Sequence, residues 1–269
     1  MARRTKEVSI QYMSDLHLER INYDFTIIKA APILILGGDI GRFCDYERYC
    51  DFLCKLCQAF DLALLVAGNH EFYGSSREEG IDAAAKLVDE PSMHGKLHFL
   101  NRNSFDVPNS RVTILGCTLH PHIAKGYTRL TNDFARIRGW TVKAHNDEHE
   151  RDLSWLKDSL YHLGQAKADR EVVIVTHYAP LFKGVCHPLN ENNAVSQCFS
   201  SHALDQVRQF GGMRLLSHWV FGHTHWNAKM KAGRSTILSN QLCNDDKSLT
   251  WWQRRLRSRP FDTQALIEI

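Results

Sequence analysis

Five short polar clusters hold the side chains best suited to chemistry: SDLH at 14–17, GGD at 37–39, GNHE at 68–71, THYAP at 176–180 and GHTH at 222–225. They supply Asp15, His17, Asp39, Asn69, His70, His177, His223 and His225. Any one of them alone reads as a turn residue, a helix cap or a surface histidine. Together they offer carboxylate, amide and imidazole donors, an inventory that suits a centre of two metal ions. The absence of cysteine from the clusters argues against a structural zinc site. Mixed oxygen and imidazole donors favour ions of intermediate hardness, such as Mn, Fe, Zn or Co, over magnesium alone. Asp39 stands alone behind two glycines that let the backbone come close, and its carboxylate is the natural bridge between two cations. Two divalent ions less two carboxylates leave a centre of about +2, which attracts a phosphate. Ions roughly 3.5 to 4 Å apart lower the pKa of a shared water, provide the nucleophile and neutralise phosphoryl oxygens. Hydrolysis of a phosphoester by metal-bound hydroxide is therefore the expected reaction.

These clusters need elements that aim them at one place. Apolar runs of β type, VSIQYM, PILIL, LALLV, VTILG, EVVIV, HWVFG and STIL, each stop at a polar or glycine-containing cluster. Between several of them lie helical stretches: YERYCDFLCKLCQAF, then SREEGIDAAAKLVDE with a Ser76 to Glu79 capping box, then DEHERDLSWLKDSLYHLG ending at Gly164. Strands alternating with helices predict an α/β layered fold. In such folds functional groups gather at the carboxyl ends of strands, where every polar cluster falls. If the exits stay extended, side chains at i and i+2 share a side, so Asp15 and His17, or His223 and His225, can aim together. VTILGCTLH, HWVFGHTH, KAGRSTILSN and TQALIEI look like hairpin or edge strands of a second sheet packed on the first.

The chain has 269 residues, 43% hydrophobic and 23% charged, with no repeat or linker, so we expect one domain over 1–269. Its eight cysteines are scattered and no signal-peptide pattern precedes them, so they read as reduced thiols in a cytoplasmic protein. Cys44, Cys50, Cys54 and Cys57 fall in a helical stretch and read as packed helix cysteines. No stretch reaches the roughly 18 apolar residues of a membrane span. A formal charge of +3 gives no global case for a nucleic-acid or membrane partner. The basic run QRRLRSRP at 253–260 reads as a solvated loop.

In order and form, SDLH, GGD, GNHE, the His of THYAP and GHTH resemble the five signature motifs of the calcineurin-like metallophosphoesterase superfamily, DxH, GD, GNH[DE], H and GHxH. The resemblance spans residues 15 to 225. It implies a four-layer αββα sandwich of two mixed β-sheets flanked by helices, with two divalent or mixed-valence metal ions at one end. It implies Asp15, His17, Asp39 and His225 on one ion and Asp39, Asn69, His177 and His223 on the other. By the same resemblance His70 is a catalytic residue rather than a ligand, facing the phosphoryl oxygens or protonating the leaving oxygen, with Asp39 bridging. Asn69, His70 and Arg42 would line the substrate side, Arg42 resembling the phosphate-gripping arginine of some protein phosphatases. GGDIGRF lacks their GDxxDRG form, which disfavours that subgroup. Glu71 either orients the neighbouring imidazole or forms a structural ion pair.

His120 and His122 in LHPH fall at a strand exit and can reach the rim of such a site. The segments TRLTNDFARI, with Asn132 and Asp133, and 183–201, with His187, Asn190 and Asn193, are irregular insertions of the kind that shape substrate access. The expected substrate is a small phosphomonoester or phosphodiester, such as a nucleotide or cyclic nucleotide. A nuclease on DNA or RNA ends shares the metals but favours a larger basic surface. A catalytically silent scaffold of the same fold is opposed by every motif position, His70 included, being filled.

Overall fold

A computed structural model describes residues 7–166, 169–191, 193–242 and 259–269. Most of the basic run at 253–260 lies outside the described residues. The strands are β1 Ser9–Met13, β2 Ile33–Gly37, β3 Leu62–Val66, β4 Leu97–Phe99, β5 Asn103–Asp106, β6 Val112–Cys117, β7 Glu171–Thr176, β8 Leu216–Phe221, β9 Lys229–Ala232, β10 Ser235–Ser239 and β11 Leu266–Glu268. The helices are α1 Tyr46–Ala59, α2 Arg77–Asp89, α3 Asp133–Arg136, α4 Val142–Gln165 and α5 Ala203–Val207.

One sheet runs β11-β1-β2-β3-β4 and the other β5-β6-β7-β8-β10-β9. Strands β1 to β4 run parallel, with β4 at one edge, as do β6, β7, β8 and β10, while the edge strands β11, β5 and β9 pair antiparallel. Burial on both faces explains why these strands read as unbroken apolar runs. Alternation divides their side chains between two cores. Ile35, Leu64 and Val66 face Ile114, Val173, Val220 and Leu238 between the sheets. Leu34, Leu36 and Leu65 join Phe52, Leu53 and Leu87 from α1 and α2, while Ile174 and Trp219 join Leu156, Leu160 and Leu204 from α4 and α5. The result is the expected αββα sandwich.

Three expectations are corrected. VTILG and HWVF are not edge strands but parallel strands inside the second sheet, and TQALIEI closes the edge of the first. Helix α4 runs through Gly164 and starts at Val142, where Thr141 accepts the Ala144 N–H. The Ser76–Glu79 capping box is present. Among the described residues the cysteines are free thiols, and no helix is long and apolar enough to cross a membrane.

Strand register sets up the site. Met13 pairs with Leu36 and Leu36 with Leu65, so β1, β2 and β3 end level. In the second sheet Cys117 pairs with Thr176 and Phe221 with Ser239. A bridge between Ser14 and Gln241 ties the two sheets at this end.

Candidate metal centre

The chain does not leave the strands in extended form. Asp15, His17, Asp39, His223 and His225 all adopt positive φ, between 47° and 68°. The condition for i and i+2 to share a side, an extended exit, is therefore not met in either DxH or HTH; left-handed turns place these side chains instead. Each such residue costs on the order of 1 to 3 kcal/mol and persists only where the surroundings fix it. Here they do. Asp15 accepts from the Ser14 hydroxyl at 2.6 Å and the His223 N–H at 3.0 Å, and Gln241 Oε1 accepts the His225 N–H at 2.6 Å. The Asp39 carboxylate accepts the His70 N–H at 2.8 Å. Gly68 carries no side chain because a Cβ there would lie 2.7 Å from both Asp39 N and His177 Cε1.

Two donor sets result. Asp15, His17 and His225 form one: His17 Nε2 lies 3.2 Å from His225 Nε2, which lies 3.7 Å from Asp15 Oδ1. Asp39, His177 and His223 form the other: His177 Nε2 lies 3.4 Å from Asp39 Oδ1, 3.1 Å from His223 Nδ1 and 3.2 Å from Asn69 Oδ1. The His177 Nδ1–H donates to the Gly37 carbonyl at 3.0 Å, so Nε2 is the nitrogen turned to the centre. A third grouping, His17, Asp39 and His70, spans the two. The imidazole nitrogens lie within hydrogen-bond distance of one another, and a cation placed between them would take up lone pairs from both rings and from the neighbouring carboxylate. The residues thus fit divalent metal ions.

The protein's own electrostatics prepare the site. Burial works against the Asp39 carboxylate, yet His177, His70 and His17 hold it well below the usual carboxylate range. Burial likewise opposes charge on His177, but Asp39 beside it pushes the imidazole up to about 9. His223 is driven down by burial and by His177. His70 and His225, with side chains 18% and 33% exposed, lie on the open side.

His70 Nδ1 lies 2.9 Å from Glu19 Oε1, and its ring packs against His17 and Tyr73. Burial disfavours its charged form, but Asp39 and Glu19 outweigh that and raise its pKa. Glu71 takes neither role expected of it. Fully buried, it accepts the N–H groups of Asp39 at 2.8 Å, Ile40 at 2.8 Å and Gly68 at 2.7 Å, and the Tyr49 hydroxyl at 3.1 Å. It therefore stitches the GGD loop to the GNHE loop. Burial, with the nearby Asp39 charge, pushes its pKa up to about 7.

Other candidates fall elsewhere. Arg42 forks onto Asp45, with Nε and Nη2 each 2.9 Å from a carboxylate oxygen, and belongs to none of the donor sets. His120 is not on the rim: it is fully buried against Trp140, His145 and Tyr178. His122 is exposed, edge-on to His149. In the 183–201 segment His187 packs on Trp226, and Asn190 bonds Asn193 within the loop. Phe199 from that segment does reach the site, its ring 5.3 Å from that of His223. Glu19, Asp133 and Gln241 belong to no motif yet touch motif residues; Glu19 had a local signal, two positions after His17, and Asp133 lay in an insertion expected to shape substrate access.

A family model for calcineurin-like phosphoesterases matches residues 10–227. Protein L509 of Acanthamoeba polyphaga mimivirus, an uncharacterised protein, is 25% identical over 264 residues, covering 87% of this chain and 90% of its own. Among solved structures, a phosphopantetheinyl hydrolase from Mycobacterium tuberculosis superposes with a TM-score of 0.65 at 14% identity, over 98% of this chain and 96% of that one. A putative 5'-nucleotidase from Staphylococcus aureus gives 0.50 at 14% identity, over 87% of this chain and 48% of its own. With the αββα sandwich, level strand ends and matched motifs in agreement, the chain belongs to the calcineurin-like phosphoesterase family.

Proposed function

We propose that the chain, working as one domain, is a dinuclear metallophosphoesterase that hydrolyses a small phosphomonoester or phosphodiester. The observation that carries this is the convergence of two donor sets, Asp15/His17/His225 and Asp39/His177/His223, with His17, Asp39 and His70 between them. In this reading Asp15, His17, Asp39 and His225 hold one ion and Asp39, Asn69, His177 and His223 the other. Two divalent ions there would acidify a water and neutralise phosphoryl oxygens.

The chain's own groups do the rest. Glu71 fixes the backbone on either side of Asp39, so the bridging carboxylate is set before any ligand arrives. His70 stands on the open side with Nδ1 toward Glu19, which leaves Nε2 for the substrate, where it stabilises a phosphoryl oxygen or gives a proton to the leaving oxygen. Arg42 contributes to substrate grip only by leaving Asp45. We place the protein in the cytosol, which the free thiols of its described cysteines support.

The test is a turnover screen with Mn, Fe, Zn or Co over phosphomonoesters, linear diesters, cyclic nucleotides and pyrophosphates. Phosphopantetheinyl and nucleotide esters belong in it, given the names of the two similar structures. We expect metal-dependent hydrolysis of at least one class. No turnover of any class with any of these metals would overturn the proposal.

A further inference from the structure

Asn69 presents its amide oxygen to His177, and nothing in the amide's shape alone prevents a half-turn that would present the NH2 group instead. The structure holds a device against that turn. Asn69 Nδ2 donates to Asp133 Oδ1 and contacts the Tyr73 hydroxyl, both at 2.8 Å. The Tyr73 hydroxyl donates to the same Asp133 oxygen at 2.8 Å, and the Tyr178 hydroxyl donates to the other at 3.1 Å. Asp133, Asn69, Tyr73 and Tyr178 are all buried. Asp133 opens the four-residue helix α3, in an insertion that looked from sequence like a substrate-access loop. Its first residue turns inward instead.

A carboxylate can only accept hydrogen bonds. It therefore forces the Asn69 nitrogen toward itself and the oxygen toward the donor set, at no cost when an ion binds. We propose that Asp133 is a positioning residue for metal binding: it locks the Asn69 amide with its oxygen toward the Asp39/His177/His223 set and so sets the affinity of that one ion. This rests on the reading of Asn69 as a ligand. An orienting partner of this kind is worth about 10- to 100-fold in metal affinity when removed.

The test is Mn2+ binding to the metal-free protein by calorimetry, with electron paramagnetic resonance to separate coupled from isolated Mn2+. Asn69→Ala checks the underlying reading, and we expect it to weaken one of two ions. Asp133→Leu keeps a similar shape without an acceptor. The paired variant Asp133→Leu/Tyr178→Phe also removes the hydroxyl left stranded, which protects the fold. We expect both Leu variants to weaken the same ion as Asn69→Ala by tenfold or more, leaving the isolated-ion spectrum at one equivalent. Asp133→Asn keeps an acceptor oxygen toward Asn69 and should restore both ions, and Tyr178→Phe alone should bind as wild type. If Asn69→Ala loses an ion while the folded Leu variants hold both at wild-type affinity, the positioning role is wrong and the metal reading stands. If Asn69→Ala itself holds both ions, the ligand assignment fails and the inference with it.

Discussion

Replacing Glu71 by Gln probes the scaffold of the centre without touching a donor. The carboxylate takes Asp39 and Gly68 N–H on one oxygen, and Ile40 N–H, a longer 3.4 Å bond from Gly41 N–H and the Tyr49 hydroxyl on the other. Whichever way the amide turns, its NH2 group meets two backbone N–H donors. Bonds to a charged acceptor contribute about 1.5 to 3 kcal/mol each, so two lost bonds cost about 3 to 6 kcal/mol. The neutral amide escapes the burial cost that pushes Glu71 up to about 7, which offsets part of this. A net loss of about 2 to 3 kcal/mol remains, and for a chain of this size it lowers Tm by about 4 to 6 °C. The assay is thermal unfolding of the metal-free protein, followed by metal content after reconstitution. We expect the lower Tm and reduced binding, because the turn carrying Asp39 is no longer held. A folded variant with Tm within about 2 °C of wild type and full metal content would refute the clamp.

His70→Ala should keep both ions while turnover falls by about 10² to 10⁴; metal loss in this variant, read by elemental analysis, would contradict the assignment. Glu19→Gln should retain the ions and lower kcat by about tenfold with KM little changed, since it orients an acid rather than binding substrate; an unchanged kcat would dismiss the pairing. Acid should destabilise the fold through histidines away from the centre. Burial holds His145 at about 4, and burial with the nearby Lys231 and Lys229 charges holds His218 at about 4. An unfolded chain protonates them near 6.5, so their contribution is intact above about pH 6.5 and is lost as pH falls toward 4, by up to about 3 kcal/mol for the fully buried His145. Urea midpoints at pH 7.5 and 5 measure this, and His145→Gln should flatten the slope; equal slopes would refute it.

Much of the scaffold was legible because inner strands buried on both faces, such as Leu62–Val66 and Ile33–Gly37, must be apolar throughout and must end where polarity begins. The motif residues were legible as an ordered set, and the capping box because its bonds are local. Sheet order was not, since nothing in HWVF or VTILG distinguishes an inner parallel strand from an edge. Leu97–Phe99 and Asn103–Asp106 are too short to show a period. The left-handed turns at Asp15, His17, His223 and His225 also escaped: their φ values follow from tertiary bonds to Gln241 and across the two sheets. Glu19 and His70 are 51 residues apart, and Asn69 and Asp133 are 64 apart. Such pairs exist only once the strand ends are level. The partners of Glu71 were not legible either: it lies in a tight turn, His70–Phe72, that swings its carboxylate back under Asp39.

The central claim, a dinuclear centre bridged by Asp39, is tested most directly by titrating metal-free protein with Mn2+ while following both binding and hydrolysis of bis-p-nitrophenyl phosphate. We expect two ions per chain, with turnover rising only as the second binds, and an Asp39→Asn variant that loses affinity for both and is inactive. Full turnover at one ion per chain, or an Asp39→Asn variant that binds two ions as tightly as wild type, would contradict it.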